Sequence, residues 1–432
     1  MNNHSPLQTN NKPGVFMRFN ILVIIIASLI LIPMTQIQAA GMANARALGM
    51  AGSYTGLARG YDCPSFNPAN LGFKSHQVTG LQIVGAGIAV SNNSFSLDDY
   101  NTYTGATLND QDKQDLLDKI PDEGMELSFD AEVSALSLSM SNMAFSITAQ
   151  ATADINLGKA PMELLLQGNT MADTIILDGM YGAGFAVGAA NFSYGQKILG
   201  IGSKELSVGA NVKYLKGLGY EEVIELNGHA ATLTTGFEGE GSLVARTATG
   251  GSGYGLDLGA ALKLSSSVTV GATLFNAFSN ITWNEETEEH RYTFYFDTLT
   301  VTEFGDDSVF VSEDTTVGID EFSTSLPTTL KLGIAKNSGR LNWAVDWEQG
   351  FEMGAGTTTK PHISGGAEYR ILSFLPLRAG FGTGGRRGTT YAGGLGLDLA
   401  LCYIDVAAAN YNAVIGSGGK GLNFAINTGI RF

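Results

Sequence analysis

The chain ends at residues 421–432 with the sequence GLNFAINTGIRF, in which mostly apolar side chains alternate with small or polar ones. Successive side chains of a β-strand point to opposite faces of the sheet, so a repeat of two residues predicts a strand with two different faces. One apolar face and one small or polar face are typical of the wall of a transmembrane barrel. The residues of the first face are Leu422, Phe424, Ile426, Thr428, Ile430 and Phe432.

The same alternation recurs at 206–214, 254–264 and 341–347. A soluble sandwich can alternate in this way, but Gly and Ala are frequent on the second face here, which favours a crowded or water-filled interior. The composition agrees, since the chain has 56 Gly, 10 Pro and only 15% charged residues. We therefore expect an all-β fold, a transmembrane antiparallel up-and-down β-barrel.

The spacing of the alternating segments predicts about fourteen strands, an even number that returns both ends of the wall to one side. Short connections alternate with long ones, as expected when turns face the periplasm and loops face outward. We expect 281–325 to form a hairpin above the membrane; within the wall it would raise the count to sixteen. Strands are expected near 78–90, 127–139, 142–154, 180–193, 204–216, 253–264, 267–278, 326–336, 340–350, 361–371, 375–384, 388–400, 402–413 and 420–432. Long loops are expected at 91–126, 155–179, 217–252 and 279–325.

Residues 1–39 have the order of charge and hydropathy of a cleaved secretory signal peptide. They contain no Asp or Glu, and Lys12 and Arg18 precede the apolar run 21–32, which Ser28 alone interrupts. A run of this length is too short for a membrane-spanning helix, which needs about 20 apolar residues. A retained N-terminal anchor is the alternative, and Met17 is an alternative start because Met17 and Arg18 alone supply a basic beginning.

The charge balance excludes nucleic acid as a partner. Acidic residues outnumber basic ones 41 to 25, giving a net charge of −16, whereas phosphate binding needs clustered Lys and Arg. The expected long loops together with 351–360 hold 30 of the 41 acidic residues, so we expect the negative charge to lie outside the barrel.

Residues for enzyme chemistry are scattered. The five histidines have no metal-ligand spacing such as HxxxH, and residues 416–421 match GxGxxG only formally because a strand rather than a helix follows. We expect no catalytic residues, no cofactor and no metal. The histidines are His4, His76, His229, His290 and His362.

A segment rich in small residues separates the signal peptide from the first strand. Residues 40–76 show no strand alternation and no charge run, and they precede the barrel proper, 77–432. Such a segment can fold back into the lumen as a plug or lie outside as a tail. Its small side chains favour packing within the barrel.

Two motifs of this segment, ARALGMAG at 45–52 and FNPANLG at 66–72, resemble the N-terminal hatch of the FadL superfamily. LPTTLKLG at 326–333 and PLRAG at 376–380 are similar to later strands of that group. The group includes long-chain fatty-acid and hydrocarbon transporters and the PorV-like barrels of surface-secretion systems. The terminal strand ending in Phe432 resembles the signal by which outer-membrane barrels are recognised by their assembly machinery.

The resemblance implies a multi-pass protein of the cell outer membrane that acts as a channel or transporter for small hydrophobic molecules, of fatty-acid or hydrocarbon type. The alternative is a PorV-like interaction barrel that holds or shuttles a secreted or surface protein. The partners implied are the outer-membrane lipid bilayer, the barrel-assembly machinery, and either a hydrophobic small molecule or a secreted protein. The hatch or gate residues would be Gly49, Gly52, Asn67, Pro68 and Ala69.

The expected loop 155–179 is unusually apolar for a loop outside a membrane. Exposed apolar patches often mark interaction sites, so this one is a candidate for capturing an apolar ligand. A small hydrophobic cluster that closes the loop over the barrel mouth is the alternative. The residues are Met162, Leu164, Leu165, Leu166, Ile175, Ile176 and Leu177.

The two cysteines, Cys63 and Cys402, are candidates for a disulfide. Strand parity places Cys402 at a short periplasmic turn, Cys63 lies in the expected hatch, and the periplasm allows disulfides to persist. Such a bond would tie the hatch to the wall and stabilise the fold by about 4–5 kcal/mol in the chain-entropy model. Two buried free thiols are the alternative.

Overall fold

The computed structural model of the chain describes residues 42–168, 174–177, 179–299, 310–399, 401–414 and 416–432. The expected signal peptide, 1–39, lies outside the described residues. Fourteen antiparallel strands form a closed wall, in which each strand pairs with the next and the last strand pairs back onto the first. The wall strands are β1 (Gly80–Asn92), β2 (Met125–Met140), β3 (Met143–Leu157), β5 (Tyr181–Ile201), β6 (Lys204–Leu233), β8 (Gly250–Lys263), β9 (Val268–Glu285), β13 (Thr329–Ser338), β14 (Leu341–Gly350), β15 (His362–Leu372), β16 (Leu375–Gly384), β17 (Thr390–Leu399), β18 (Cys402–Tyr411) and β19 (Gly421–Arg431).

The predicted barrel is confirmed, and each of the fourteen expected strands overlaps one wall strand. The alternative of sixteen strands is wrong. Strand β10 (Glu288–Leu299) pairs with β7 (Gly236–Ala248) on one side and with β11 (Phe310–Gly318) on the other, outside the ring of wall pairings. Closure of the ring leaves the wall without an unpaired edge, which a membrane requires.

The expectation that 217–252 is a loop is wrong. β6 continues to Leu233, and a tight turn connects it to β7. The whole length of β7 pairs with the end of β6. The upper part of β6 (220–233), β7, β10 and β11 form a sheet beyond the wall, called here the upper sheet. The expected hairpin within 281–325 is the β10–β11 pair of this sheet. The short strand β4 (Thr174–Ile176) pairs with β6, and the short strand β12 (Phe322–Thr324) pairs with β9.

Helices are short and lie before or between the strands. No helix in the described ranges has the length and apolar character needed to cross a membrane. The α-helices are α1 (Ala45–Leu48), α2 (Cys63–Phe66), α3 (Leu97–Tyr103), α4 (Asp110–Leu117) and α5 (Lys159–Gln167). Three 3-10 helices span Gly60–Asp62, Pro68–Gly72 and Lys74–His76.

The two faces of the wall differ as the alternation predicts. In β19, Phe424 is 53% exposed on the outer face, whereas Asn423 and Asn427 are buried inside. β18 repeats the pattern, with Ile404 exposed and Asp405 buried. An outer face of large apolar side chains and an inner face of polar ones match a wall surrounded by lipid.

Candidate functional site

Residues 42–77, called here the lumen segment, fold inside the barrel. Local capping explains their compact shape. The Asn44 side chain accepts a hydrogen bond from Ala47 N at the start of α1. Asn67 accepts one from Ala69 N at 3.0 Å, and Pro68 occupies the first position of the following 3-10 helix, where a missing N–H costs nothing.

Inward-pointing polar side chains of the wall hold the backbone of this segment. The carboxylate of Asp346 on β14 accepts from Tyr54 N at 3.0 Å, Thr55 N at 2.9 Å and Thr55 Oγ1 at 2.6 Å. On the far side of the ring, Asn427 of β19 accepts from Ala45 N at 2.9 Å, and Glu132 of β2 accepts from Ala43 N at 3.1 Å. Contacts with strands around the whole ring mean that the segment occupies the lumen.

Glycines of the wall allow the segment to approach the strands closely. A Cβ at Gly366 of β15 would lie 2.5 Å from Met50 Cβ, and one at Gly380 of β16 would lie 2.3 Å from the Met50 carbonyl carbon. Real Cβ atoms do not approach so closely, so any larger residue would displace the segment. Glycines at these wall positions therefore allow close packing between the strands and the lumen segment.

A buried ion cluster joins the segment to β15, β16 and β18. Arg378 pairs with Glu368 at 2.8 Å and with Asp405 at 2.6 Å, and all three side chains are buried. Arg46 of the segment contacts Glu368 at 3.5 Å. Because buried charges are tolerated only when paired, this cluster has to assemble as a unit.

Burial also shifts the pKa values of two titratable groups within the lumen segment. Desolvation raises the pKa of Asp62, whose carboxylate accepts from Asn44 Nδ2 at 2.8 Å and Tyr54 OH at 3.2 Å. Desolvation also lowers the pKa of His76 to about 3, with Arg59 and Lys263 acting in the same direction. His76 is therefore neutral in the folded segment.

The expected hatch residues all lie in the lumen segment. Gly49 packs against β16 and β17, where a Cβ would lie 3.0 Å from Arg378 Cβ, and Gly52 has a φ of +85° that favours glycine. The Asn67 side chain donates to Ala260 O of β8 at 3.1 Å, and Pro68 and Ala69 follow it against β6 and β8. Movement of these residues as a gate stays a prediction.

A cavity of about 340 Å³ lies between the lumen segment and the mouth of the barrel, the end that carries the upper sheet. Leu48 and Phe66 of the segment line its floor, and Phe185 of β5 and Phe275 of β9 line its side. Its volume lies within the range of small-molecule sites. Charged groups also reach it, namely Lys213, Lys331, Glu348, Lys360, Arg386 and Arg387.

The wall is irregular beside this cavity. The β8–β9 register jumps between Leu256 and Leu258, so that extra residues of β9 bulge inward. Asn276 in the bulge has a φ of 51°, its N–H donates to Asp257 at 2.7 Å, and its side chain accepts from Lys213 at 2.7 Å. Bulges often direct side chains at functional sites, and this one brings Phe275 to the cavity.

The apolar residues of the expected external loop are divided by the structure. Ile175 is buried, Ile176 and Leu165 are exposed, and Met162, Leu164, Leu166 and Leu177 are half-buried. Helix α5, which carries four of them, packs beside α4, where Gln167 donates to Gln114 at 2.9 Å. The arrangement combines a small cluster with an exposed remainder, and ligand capture stays a prediction.

The expected disulfide is absent, since both cysteines are free. Cys63 is fully buried in the lumen segment, whereas Cys402 is exposed on the outer face of β18. Strand parity correctly placed Cys402 next to a short turn, but it did not predict which face of the wall its side chain lies on. In β18 the buried neighbour Tyr403 points inward, so Cys402 points away from the lumen.

Sequence reasoning missed the charged residues of the cavity. Lys331 and Glu348 lie on adjacent strands and pair at 2.8 Å, and both occupy inner positions of alternating segments. Period-two alternation could have identified them, because a charge on the inner face of a wall strand needs a partner inside. Arg386 and Arg387 lie in a tight turn, where alternation carries no information.

Residues 68–249 match a family model described as "Family of unknown function (DUF5723)". Among curated proteins no sequence matches the chain. The fold is similar to the Pseudomonas putida toluene transporter TodX, at 12% identity and a TM-score of 0.52, covering 92% of this chain and 99% of that one. It is also similar to a Pseudomonas aeruginosa FadL homologue, at 12% identity and a TM-score of 0.50, with the same coverage of each chain. The chain therefore has the fold of the FadL-family outer-membrane channels.

Proposed function

We propose that this protein is an outer-membrane channel that admits small hydrophobic molecules. The observation that supports it best is the partly apolar cavity of about 340 Å³ inside a closed, lipid-type wall, above the lumen segment. Similarity of fold to a toluene transporter adds support for an apolar ligand. A solute that enters this cavity meets the lumen segment, so passage requires that segment to yield.

Binding of a neutral, environment-sensitive naphthalene dye to the detergent-purified protein tests the proposal. Phe275→Ser removes an aromatic face from the cavity, and we expect it to weaken binding about tenfold, or ~1.4 kcal/mol. Phe424→Ser is the matched control, because it removes the same side chain from the outer face of the wall. Equal binding by all three proteins, or no binding by the parent, would contradict the proposal.

A second candidate function is an interaction barrel that holds a secreted or surface protein. The upper sheet favours it, because it stands beyond the wall and carries exposed acidic side chains, including Glu313 and Asp314 of β11. A basic partner would complement this charge. Co-purification of one secreted protein, lost when Glu313 and Asp314 become Lys, would support this function over the first.

A further inference from the structure

Two loops at the mouth of the barrel fold inward and reach the opposite wall. Residues 351–361 connect β14 to β15, and 385–389 connect β16 to β17. The β14–β15 loop contacts a carboxylate of β3, and the β16–β17 loop contacts carboxylates of β2 and β3. Strands β5, β6, β8, β9 and β13 separate β3 from β14 on one side, and β16–β19, β1 and β2 separate β15 from β3 on the other. The β14–β15 loop therefore crosses the opening close to its diameter. The β16–β17 loop crosses a shorter part of it, because three strands, β18, β19 and β1, separate β17 from β2.

The β16–β17 loop is held by ion pairs. Arg386 Nη2 lies 3.0 Å from Asp130 Oδ2 and 2.8 Å from Asp154 Oδ1, and its Nη1 donates to Asp130 at 3.3 Å. Arg387 also pairs with Asp130, and its guanidinium lies 5.3 Å from the ring centre of Tyr411. One loop thus supplies two guanidiniums to two carboxylates on the facing wall.

The β14–β15 loop reaches one of these carboxylates, Asp154, through its backbone. Gly356 N donates to Asp154 Oδ2 at 2.8 Å. Gly356 has a φ of 83°, and a Cβ there would lie 3.0 Å from Thr152 Cγ2 of β3, so this approach requires glycine. The two loops are also joined to each other, because Gly385 N donates to Pro361 O at 3.0 Å.

The carboxylates that receive these loops are shielded from solvent. Asp130 is 0% exposed and also accepts from Thr152 Oγ1 at 2.7 Å, and Asp154 is 5% exposed and accepts from Ser128 Oγ at 2.6 Å. A buried carboxylate that loses its cationic partner is strongly unfavourable unless water replaces that partner. The closed arrangement is therefore favoured until water or a solute enters.

The cavity of the candidate site lies directly beneath these loops. Its lining includes residues 355–358 and 384–387 as well as Leu48, Gly52 and Phe66 of the lumen segment. The cavity is thus bounded by the loops above and by the lumen segment below.

We propose that residues 351–361 and 385–389 form a lid over the lumen, and that Arg386 and Arg387 are its latch on Asp130 and Asp154. A solute from the mouth side reaches the cavity when this latch is released, while the lumen segment stays in place. The role of this lid in admitting a solute rests on the proposed channel function. The lid itself is inferred from the contacts of the two loops alone.

The test uses the full chain in liposomes in a Cys402→Ser, Thr329→Cys background. Thr329 lines the cavity, so the introduced thiol reports access to the cavity, and Cys63 reports movement of the lumen segment. The labelling rate of each thiol by a membrane-impermeant maleimide is measured by mass spectrometry of the two peptides. Arg386→Gln with Arg387→Gln should raise the labelling rate of the cavity thiol at least tenfold and leave Cys63 as unreactive as in the parent. Arg340→Gln, an exposed arginine in the β13–β14 turn, is the matched control and should change neither rate.

Two further variants separate the lid from its alternatives. Asp130→Asn should speed labelling of the cavity thiol through the same latch, and its combination with the arginine variants should add little, because the groups share one interaction. Gly356→Ala strains the second loop without removing charge and should speed this labelling less. Parent-like labelling of the cavity thiol in heat-modifiable, folded latch variants would overturn the proposal. Rapid labelling of Cys63 in the same variants would also overturn it, since the lumen segment would then have moved.

Failure of the ligand proposal remains distinguishable from failure of the lid. If the latch variants expose the cavity thiol but no variant binds the naphthalene dye, the lid stands and the hydrophobic ligand is wrong. If the dye binds to the cavity but the latch variants leave labelling of the cavity thiol unchanged, the ligand stands and the lid is wrong.

Discussion

The charged side chains of the lumen segment and the wall around it are buried and partnered, whereas those of β11 in the upper sheet are exposed to water. In the segment and the wall around it, Arg378, Glu368 and Asp346 are buried and each contacts a partner of opposite charge or a backbone donor. In the upper sheet the described side chains of β11, residues 311–318, are all exposed, and acidic residues face water. The same residue types therefore have different energetic roles at the two places.

This difference means that charge is a structural element inside and a surface property outside. An exposed ion pair contributes about 0–1 kcal/mol, whereas breaking a buried pair costs about 3–5 kcal/mol because the remaining charge has no solvent. Matched substitutions in the two regions test the distinction, since each pair removes the same chemical group.

The largest effect is expected for the buried ion cluster. Arg378→Met leaves Glu368 and Asp405 without their shared partner and should lower the free energy of unfolding by about 3–5 kcal/mol. Arg291→Met in the upper sheet removes an arginine that is 59% exposed and should change it by less than about 1 kcal/mol. Urea unfolding in lipid vesicles measures both. Similar losses would show that the interior cluster is not a special stabilising element.

The next effect concerns the hydrogen bonds from the segment to β14. Asp346→Asn keeps the shape but weakens three bonds to a charged acceptor, so we expect a loss of about 2–4 kcal/mol. Faster reaction of Cys63 with a maleimide should accompany it, because Tyr54 and Cys63 share one buried cluster. Asp314→Asn in β11 is the exposed control. Unchanged Cys63 protection in Asp346→Asn would show that other contacts hold the segment.

Acid should loosen the lumen segment through His76. Its pKa falls from an ordinary value of 6.5 to about 3 on folding, so the unfolded segment binds a proton that the folded one does not. The stability from this group is therefore full above pH 6.5 and is lost as the pH falls toward 3. His76→Gln should flatten the pH dependence of Cys63 labelling in this window, whereas His229→Gln in the upper sheet should not. The same acid response in both variants would exclude His76 as its source.

The smallest effect on stability is expected at the loop that carries α5. Leu165→Ser with Ile176→Ser changes two exposed side chains and should alter the unfolding free energy by less than about 0.5 kcal/mol. If these side chains capture apolar ligands, the association rate of the naphthalene dye should fall severalfold. Ile175→Ser, at a buried neighbour, should instead destabilise the loop. Parent-like dye association in the double variant would limit these residues to packing.

Alternation predicted the wall because lipid outside and a filled lumen inside impose a period of two on every strand. It predicted β19 to within two residues, from Leu422 and Phe424 outward and Asn423 inward. It failed at 217–252, where β6 and β7 extend into water and both faces carry polar residues. Without an apolar face a strand has no period to detect.

The candidate site was predictable only in part. The small residues of 40–76 indicated a packed segment, since they fit close contact. The partners of that segment, such as Asp346 and Asn427, lie hundreds of residues away in the chain. Which inner position meets which part of the segment depends on the register of the whole ring, and no local pattern encodes that register.

The bond between Ala45 and Asn427 has a consequence for the order of folding. It joins a residue that precedes every strand to one in the final strand of the ring, and similar bonds join the segment to strands in between. Contacts at such sequence separation form slowly, because many residues have to be ordered first. The part of the barrel that comes first in the chain therefore acquires its native contacts last, when β19 has closed on β1. In a pulse-labelling experiment, protection of Cys63 would therefore report that the barrel is complete.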